Sequence, residues 1–302
     1  MSILVVGSVA FDTISTPFGR IEEVLGGSAL HFAAAASLFA DVRLVAVVGE
    51  DFPQDLLNFL RDRNVDLRGM QRVSGKTFRW AGEYGQNLNE ARTLDTQLNV
   101  FANFAPTIPE EYRDSEVVFL ANIDPDLQQD VLAQVGQPRF VAADTMNFWI
   151  TGKQESLRQT LRLVDTLLIN DAETRQLANE ANLVQAARRI LQWGPRALVI
   201  KRGEYGALMI NEGGWFAAPA LPLEVVRDPT GAGDSFAGGF VGYLAKTMQL
   251  DNASVRKAMI MGSVMASFNV EAFSLDRLRT VTYTEVEARY RTFKQLAHFE
   301  DL

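Results

Sequence analysis

The segment DPTGAGDSFAGGF, Asp228 to Phe240, joins a Gly-Ala-Gly turn bearing a carboxylate to a helical apolar pattern. Backbone N–H groups exposed in succession at such a turn and helix start form an anion site. Asp234 sets the segment apart from an ordinary phosphate nest. A fixed negative charge beside a phosphate is repulsive unless it has a task of its own, and the natural task is to take a proton from an attacking hydroxyl. Phosphoryl transfer asks for positioning, charge stabilisation and a base that orients the nucleophile, and this segment offers the last two. A helix start capped by Asp or Ser, with glycines for a tight turn, is the other reading of the same letters.

Positioning these groups falls to the elements around them. Phe236, Phe240, Tyr243 and Leu244 recur at helical spacing on one face. Ahead of them LEVVRD reads as a short strand ending at Asp228, which gives a strand, turn, helix unit. Upstream, apolar runs such as ILVV, LVAVVG, VVFL, FVAAD, TLLIN and ALVIK alternate with helical patterns. That rhythm predicts an α/β fold with a mostly parallel sheet covered by helices on both faces. Residues 11–24 and about 72–100 break it, being polar and turn-rich, and read as hairpin strands standing off the body. A small β lid, a plain surface hairpin and a dimer contact all fit that pattern.

Composition narrows the field. The chain has 302 residues, 47% of them hydrophobic, enough for a substantial core. With no cysteine there are no disulfides, thiolate metal sites or cysteine nucleophiles. A net charge of −8 argues against a general nucleic-acid binder, so anionic substrates must be met by local nests and metal. No apolar run reaches the length of a membrane span, and MSILVVGSVAFD lacks the basic start of a signal peptide, so the expectation is a cytoplasmic protein with no membrane partner. After the first strand GSVA supplies only the first glycine of a dinucleotide fingerprint. Gly75, Lys76 and Thr77 match half of a P-loop, without its spacing or its strand-to-helix context.

The segment Asp228–Phe240 resembles the second signature of the PfkB carbohydrate kinases, the ribokinase-like sugar and nucleoside kinases, and further matches extend from Gly7 to Phe273. The resemblance implies a single ribokinase-like domain over 1–302 with a β-sheet lid drawn from 11–24 and 72–100. It implies Asp234 as catalytic base, Gly231, Ala232 and Gly233 as anion hole, and ATP with Mg2+ as cofactors. Homodimerisation through the lid is a further expectation.

Other positions gain roles by the same resemblance. Asp12, at the mouth of the sheet, would grip the acceptor; a turn Asp bonding its own backbone is the alternative. Gly26 and Gly27 open the first long helix as GGSALH, with His31 where the family usually has Asn, so His31 is read either as an acceptor contact or as a buried helix histidine. Asn170 and Glu173, in NDAE, match a motif associated with phosphate and water-mediated magnesium positioning; a capping arrangement explains the same letters. Lys201, Gly203 and Gly206, in KRGEYG, look like the nucleotide-binding turn, with Lys201 and Arg202 able to meet phosphates or simply solvent. The loop carrying Phe273 would line adenine, and Asp144 and Asn147 face the cleft without an assigned role.

The expectation is therefore an ATP-dependent kinase of a small-sugar hydroxyl. A nucleoside kinase of the same fold, or a catalytically silent sugar- or nucleotide-binding regulator, are the alternatives.

Overall fold

The computed structural model describes residues 1–300. Its strands, in chain order, are β1 (Ser2–Val6), β2 (Ala10–Thr16), β3 (Gly19–Gly26), β4 (Asp41–Gly49), β5 (Val65–Val73), β6 (Phe78–Tyr84), β7 (Ala91–Gln97), β8 (Val117–Leu120), β9 (Phe140–Asp144), β10 (Thr166–Asn170), β11 (Ala197–Lys201), β12 (Ala207–Asn211) and β13 (Gly214–Ala218). Nine form one sheet in the order β13-β12-β11-β10-β9-β8-β1-β4-β5, and four form a second in the order β3-β2-β6-β7. From β11 to β5 every pairing is parallel; β12 and β13 add an antiparallel edge. The chain builds outward from β1 in both directions, through β4 and β5 on one side and β8 to β11 on the other. Such a switch point opens a crevice beyond the carboxyl ends of the strands, where open α/β sheets bind ligands.

The continuous apolar strands follow from burial on both faces. Ile3, Val5, Leu44, Ala46 and Phe119 join a core with the helices Ser28–Ala36, Ala232–Thr247 and Asn252–Asn269. Leu4, Val6, Val45, Val47 and Leu120 point the other way, toward Val131, Leu157, Leu177 and Ile190 of the opposite helical layer. Each such Leu, Ile or Val contributes about 1.5–3 kcal/mol by leaving water.

The Ala232–Thr247 helix is buried beyond the single face its spacing suggests. Phe236, Phe240 and Leu244 are in the core, and so are Gly238, Gly239 and Gly242 on the other sides. A Cβ on Gly238 would lie 2.5 Å from the Phe32 carbonyl oxygen, and one on Gly239 2.5 Å from that of Met261. The glycines let this helix press between its two neighbours and fix the turn at its start.

Two sequence expectations need correction. LEVVRD is not a strand: residues 223–228 are irregular, and the Arg227 N–H donates to the Val270 carbonyl (2.8 Å) rather than to a sheet ladder. Val225 is 49% exposed and the segment belongs to neither sheet, so its β-branched residues have no ladder to hold them as a strand. The catalytic-looking turn therefore follows a loop. Conversely, β12 and β13 form a hairpin that the sequence reading did not contain, closed where Asn211 Oδ1 accepts from the Gly213 N–H (2.8 Å).

The second sheet combines residues from both expected regions. β2 and β6 run parallel, with Asp12 beside Trp80. The P-loop-like Gly75, Lys76 and Thr77 form its junction with the body: buried Thr77 donates to Asp51 Oδ1 (2.6 Å) and accepts from the Gly49 N–H (3.0 Å). Among the described residues, no helix is long and apolar enough to cross a membrane.

Candidate active site

Three polar residues end adjacent parallel strands: Asp144 on β9, Asn170 on β10 and Lys201 on β11. Lys201 reaches across the end of β10, placing Nζ 2.6 Å from Asp144 Oδ2, with the two side chains 18% and 5% exposed. Asn170 caps the helix Asp171–Ala178. Its Oδ1 accepts from the Glu173 N–H (2.7 Å), and Glu173 Oε2 accepts from the Asn170 N–H (3.0 Å). NDAE is thus a true capping box, and the box also aims Glu173 at the crevice, in the field of Lys201 and Asp144. Burial raises the Glu173 carboxyl to about 7, with Lys201 opposing and Asp144 adding to the rise. For Lys201, burial works against the charge, but Asp144, Glu173 and Asp234 together outweigh it, so its pKa is raised and it stays a cation.

Opposite these ends begins the Ala232–Thr247 helix. Gly231 is its N-cap at φ 74°, ψ 1°, and no side chain caps it. The Ala232 N–H donates to the Pro229 carbonyl (3.1 Å), whereas the Gly231 and Gly233 amides have no acceptor among the described residues. Of the three anion-hole candidates, Gly231 and Gly233 are therefore the ones with a donor to offer. Lys201 Nζ lies 3.1 Å from where a Gly233 Cβ would be, which sets an ammonium against the turn. Asp234, in the first helical turn, is recessed but not sealed. Burial raises its carboxyl to about 8, Asp144 and Asp12 add to the rise, and Lys201 opposes it.

Asp12 is 5% exposed and folds over the strand end at Gly26, where a Cβ would lie 1.8 Å from Oδ2. Gly27, at φ 102°, has room for no Cβ beside the Ser8 carbonyl, 2.5 Å away. Burial and then Asp228 raise the Asp12 carboxyl to about 7, against the Gly27 amide. Asp228, read from sequence only as a strand end, is fully buried and clamps two loops, accepting from the Thr230 and Ser274 amides (both 2.9 Å).

These raised carboxyls carry a stability consequence. A group whose folded pKa exceeds its unfolded value favours the fold at low pH and loses that contribution as pH rises through the folded pKa. For Asp12 and Asp234 the loss accumulates as pH climbs above the ordinary carboxylate range and is complete above about 7 and about 8 respectively. The ligand-free protein should therefore melt lower at pH 9 than at pH 6, and Asp12→Asn or Asp234→Asn should flatten the trend. Thermal melts across that range check it; a wild-type Tm that rises with pH would contradict it.

His31 is 1% exposed and lies under the Gly231 turn. Its Nδ1 is 2.9 Å from Asn269 Oδ1, which only accepts, so Nδ1 carries the proton; the buried Nε2 has no partner. Burial lowers its pKa to about 4, with the Asn269 bond opposing, and the ring is neutral. Of the two readings of His31, the geometry supports the buried histidine. Gly203 and Gly206, at φ 54° and 82°, flank the short turn after β11, and Arg202 stacks over Tyr205 at 5.9 Å. Phe273 packs toward Gly19 of the small sheet.

Sequence reasoning passed over two residues of the small sheet. Trp80 leaves the same face as its register partner Asp12, and its indole lies across Gly82, 2.1 Å from a Cβ there. Tyr84, at the end of β6, accepts a hydrogen bond from Thr230 Oγ1 (3.1 Å). The β propensity of FRWAGEY gave no sign that either side chain turns inward.

An unpaired amide turn, a cation against it and a carboxyl whose pKa is raised toward neutrality are the kinds of group that phosphoryl transfer to an alcohol would call for. Residues 2–278 match the pfkB family carbohydrate kinases, and the chain belongs to that family. It is 34% identical over 253 residues to a cytidine kinase of Thermococcus kodakarensis, covering 80% of this chain and 88% of that protein. In fold it is similar to the nucleoside kinase of Methanocaldococcus jannaschii (TM-score 0.75, 21% identity, 96% of this chain and 98% of that one). It is likewise similar to the nucleoside kinase of Burkholderia thailandensis in complex with ADP-inosine (TM-score 0.76, 22% identity, 96% and 95%). The protein is an enzyme, a kinase with an alcohol acceptor, and its family uses ATP with Mg2+.

The residues present fit that ion. Glu173 and Asp144 lie in the field of one ammonium, Lys201, and a divalent cation beside them would favour the ionised form of Glu173; among the described residues no three acidic side chains gather closely enough to ligate a metal directly. Such an ion, bound through water as Mg2+ prefers, would supply charge neutralisation at the phosphates.

Proposed function

We propose that this enzyme is a nucleoside kinase that transfers the γ-phosphoryl group of ATP to the hydroxymethyl group of a nucleoside, rather than of a free sugar. The observation that carries the choice is Trp80, the register partner of Asp12, whose indole lies flat over Gly82 on the same face of the small sheet and donates to Thr93 Oγ1 (3.2 Å). A free sugar needs hydroxyl ligands, which Asp12 supplies; a nucleoside also needs a flat apolar surface for its base. The cytidine kinase relative favours the same choice.

In this reading Asp12 accepts hydrogen bonds from the ribose hydroxyls, and Gly26 leaves space for its carboxylate. Asp234 takes the proton of the attacking hydroxyl. The Gly231 and Gly233 amides, with Lys201 beside them, meet the negative charge on the transferred group, and Ala232 holds the turn in shape through Pro229. Glu173, next to Asp144, would hold Mg2+ through water. The turn from Gly203 to Gly206 borders the nucleotide, and any contact from Asn170 comes through its Nδ2, since Oδ1 is committed to the cap. The β2-β3-β6-β7 sheet covers the acceptor and excludes water.

An acceptor panel tests this. Nucleosides should support ADP release with kcat/KM well above that of ribose or fructose. Trp80→Ala should raise KM for the nucleoside about 10- to 100-fold, the usual worth of one base on an aromatic side chain. Equal turnover of free sugars, or an unchanged KM in Trp80→Ala, would count against the nucleoside.

A further inference from the structure

Thr230 immediately precedes the anion-hole turn and is held from three directions. Its amide donates to Asp228 Oδ1 (2.9 Å), and its carbonyl accepts from Asn269 Nδ2 (2.8 Å). Its hydroxyl donates to the Tyr84 phenol (3.1 Å). The first two partners belong to the body of the protein, although the Asp228 loop also touches the small sheet, where Thr16 Oγ1 donates to the Arg227 carbonyl (3.0 Å) and Ser274 Oγ to that of Leu25. Asn269 is itself fixed, fully buried, with Oδ1 accepting from His31 Nδ1 (2.9 Å) and Ser235 Oγ (3.0 Å). The third partner belongs to the small sheet. Beyond Tyr84 the same hairpin reaches the other side of the site: Asn89 Oδ1 accepts from the Glu204 N–H (3.3 Å), against Gly203.

We propose that Tyr84 is a positioning residue for phosphoryl transfer, completing the support of the anion-hole turn through Thr230 only when the small sheet is closed over the acceptor. The inference rests on the site assignment made under Proposed function. It makes closure a condition for catalysis and not only a barrier to water. With the sheet open, Thr230 keeps two of its three anchors, and the Gly231 and Gly233 amides have a less defined aim. The surroundings of the phenol agree with a place inside the closed site: burial, with Asp228, Asp12 and Asp234 adding, pushes its ionisation up, so it remains a neutral hydroxyl.

The test is a double-mutant cycle on kcat with Tyr84→Phe and Thr230→Ala, with Thr230→Ser as the conservative variant. One neutral hydrogen bond is worth about 0.5–1.5 kcal/mol, so each single variant should lose roughly 3- to 10-fold in kcat. KM for ATP should stay within about twofold, as the proposal gives neither residue a contact with the nucleotide. The double variant should be no slower than the slower single, and Thr230→Ser should restore near wild-type turnover. Additive losses, or a wild-type kcat in Tyr84→Phe, would overturn the proposal. So would a Tyr84→Phe effect confined to the acceptor KM, which would make the phenol a substrate ligand instead. Asp234→Asn run alongside separates the two levels: if it stays active, the site assignment itself fails, whereas an inactive Asp234→Asn with an unaffected Tyr84→Phe removes only the coupling.

Discussion

Asp234→Asn is expected to lose about 10²- to 10⁴-fold in kcat, the usual worth of a positioned general base, while ATP binding is retained. The amide keeps the shape and the helix position but cannot take a proton. The wild-type enzyme should also show its base in the pH profile. Asp234 is raised to about 8 in the ligand-free protein, by burial first and then by Asp144 and Asp12. A base works when ionised, so kcat/KM should climb as pH rises toward that value and level off above it. In Asp234→Asn the residual activity should lack this limb. Steady-state kinetics from pH 6 to 9, with ATP affinity measured by calorimetry, decide the matter. Wild-type turnover in the variant would take Asp234 out of the reaction.

The second large effect belongs to Gly231→Ala. At φ 74° a residue with a Cβ pays roughly 1–2 kcal/mol in the left-handed region. The new methyl would also stand 2.2 Å from His31 Nδ1 and 2.3 Å from Cγ. That ring has nowhere to retreat, being 1% exposed and tied to Asn269. The turn itself must move, carrying the Gly231 and Gly233 amides away from the phosphoryl group. Loss of one such donor typically lowers kcat about 10²- to 10³-fold. Gly231→Ala should show a loss of that size together with a lowered Tm. Adding His31→Ala makes room for the methyl without removing the backbone preference, so the double variant should regain part of the stability. A Gly231→Ala enzyme with normal kcat would show that the turn does not hold the transferring group.

His31 illustrates where reading the chain reached its limit. Its place in GGSALH set it four residues beyond Gly27, on the helix that opens toward the acceptor, which left two readings open. Which way the ring points depends on Gly231 and Asn269, residues 200 and 238 positions away in the chain. The LEVVRD segment fails for a related reason. Its β-branched letters are those of a short strand, but a strand needs a neighbour to pair with, and this segment joins neither sheet. NDAE shows the opposite outcome: capping and a site role looked like rivals, yet one carboxylate in a capping box faces Lys201 and Asp144 as well.

Local order decided what the chain could state alone. Apolar runs of strand length between helical patterns dictated a parallel sheet, because only burial on both faces tolerates such runs. The Gly-Ala-Gly-Asp sequence dictated a turn with bare amides beside a carboxylate, because the glycines permit the backbone angles and the acid follows directly. Only the tertiary structure decided the rest. It brought Lys201 to Asp144 over the end of an intervening strand, set Trp80 next to Asp12, and joined Tyr84 to Thr230. Those partners are far apart in sequence, and side-chain direction between separate elements is fixed by packing, which no local pattern encodes.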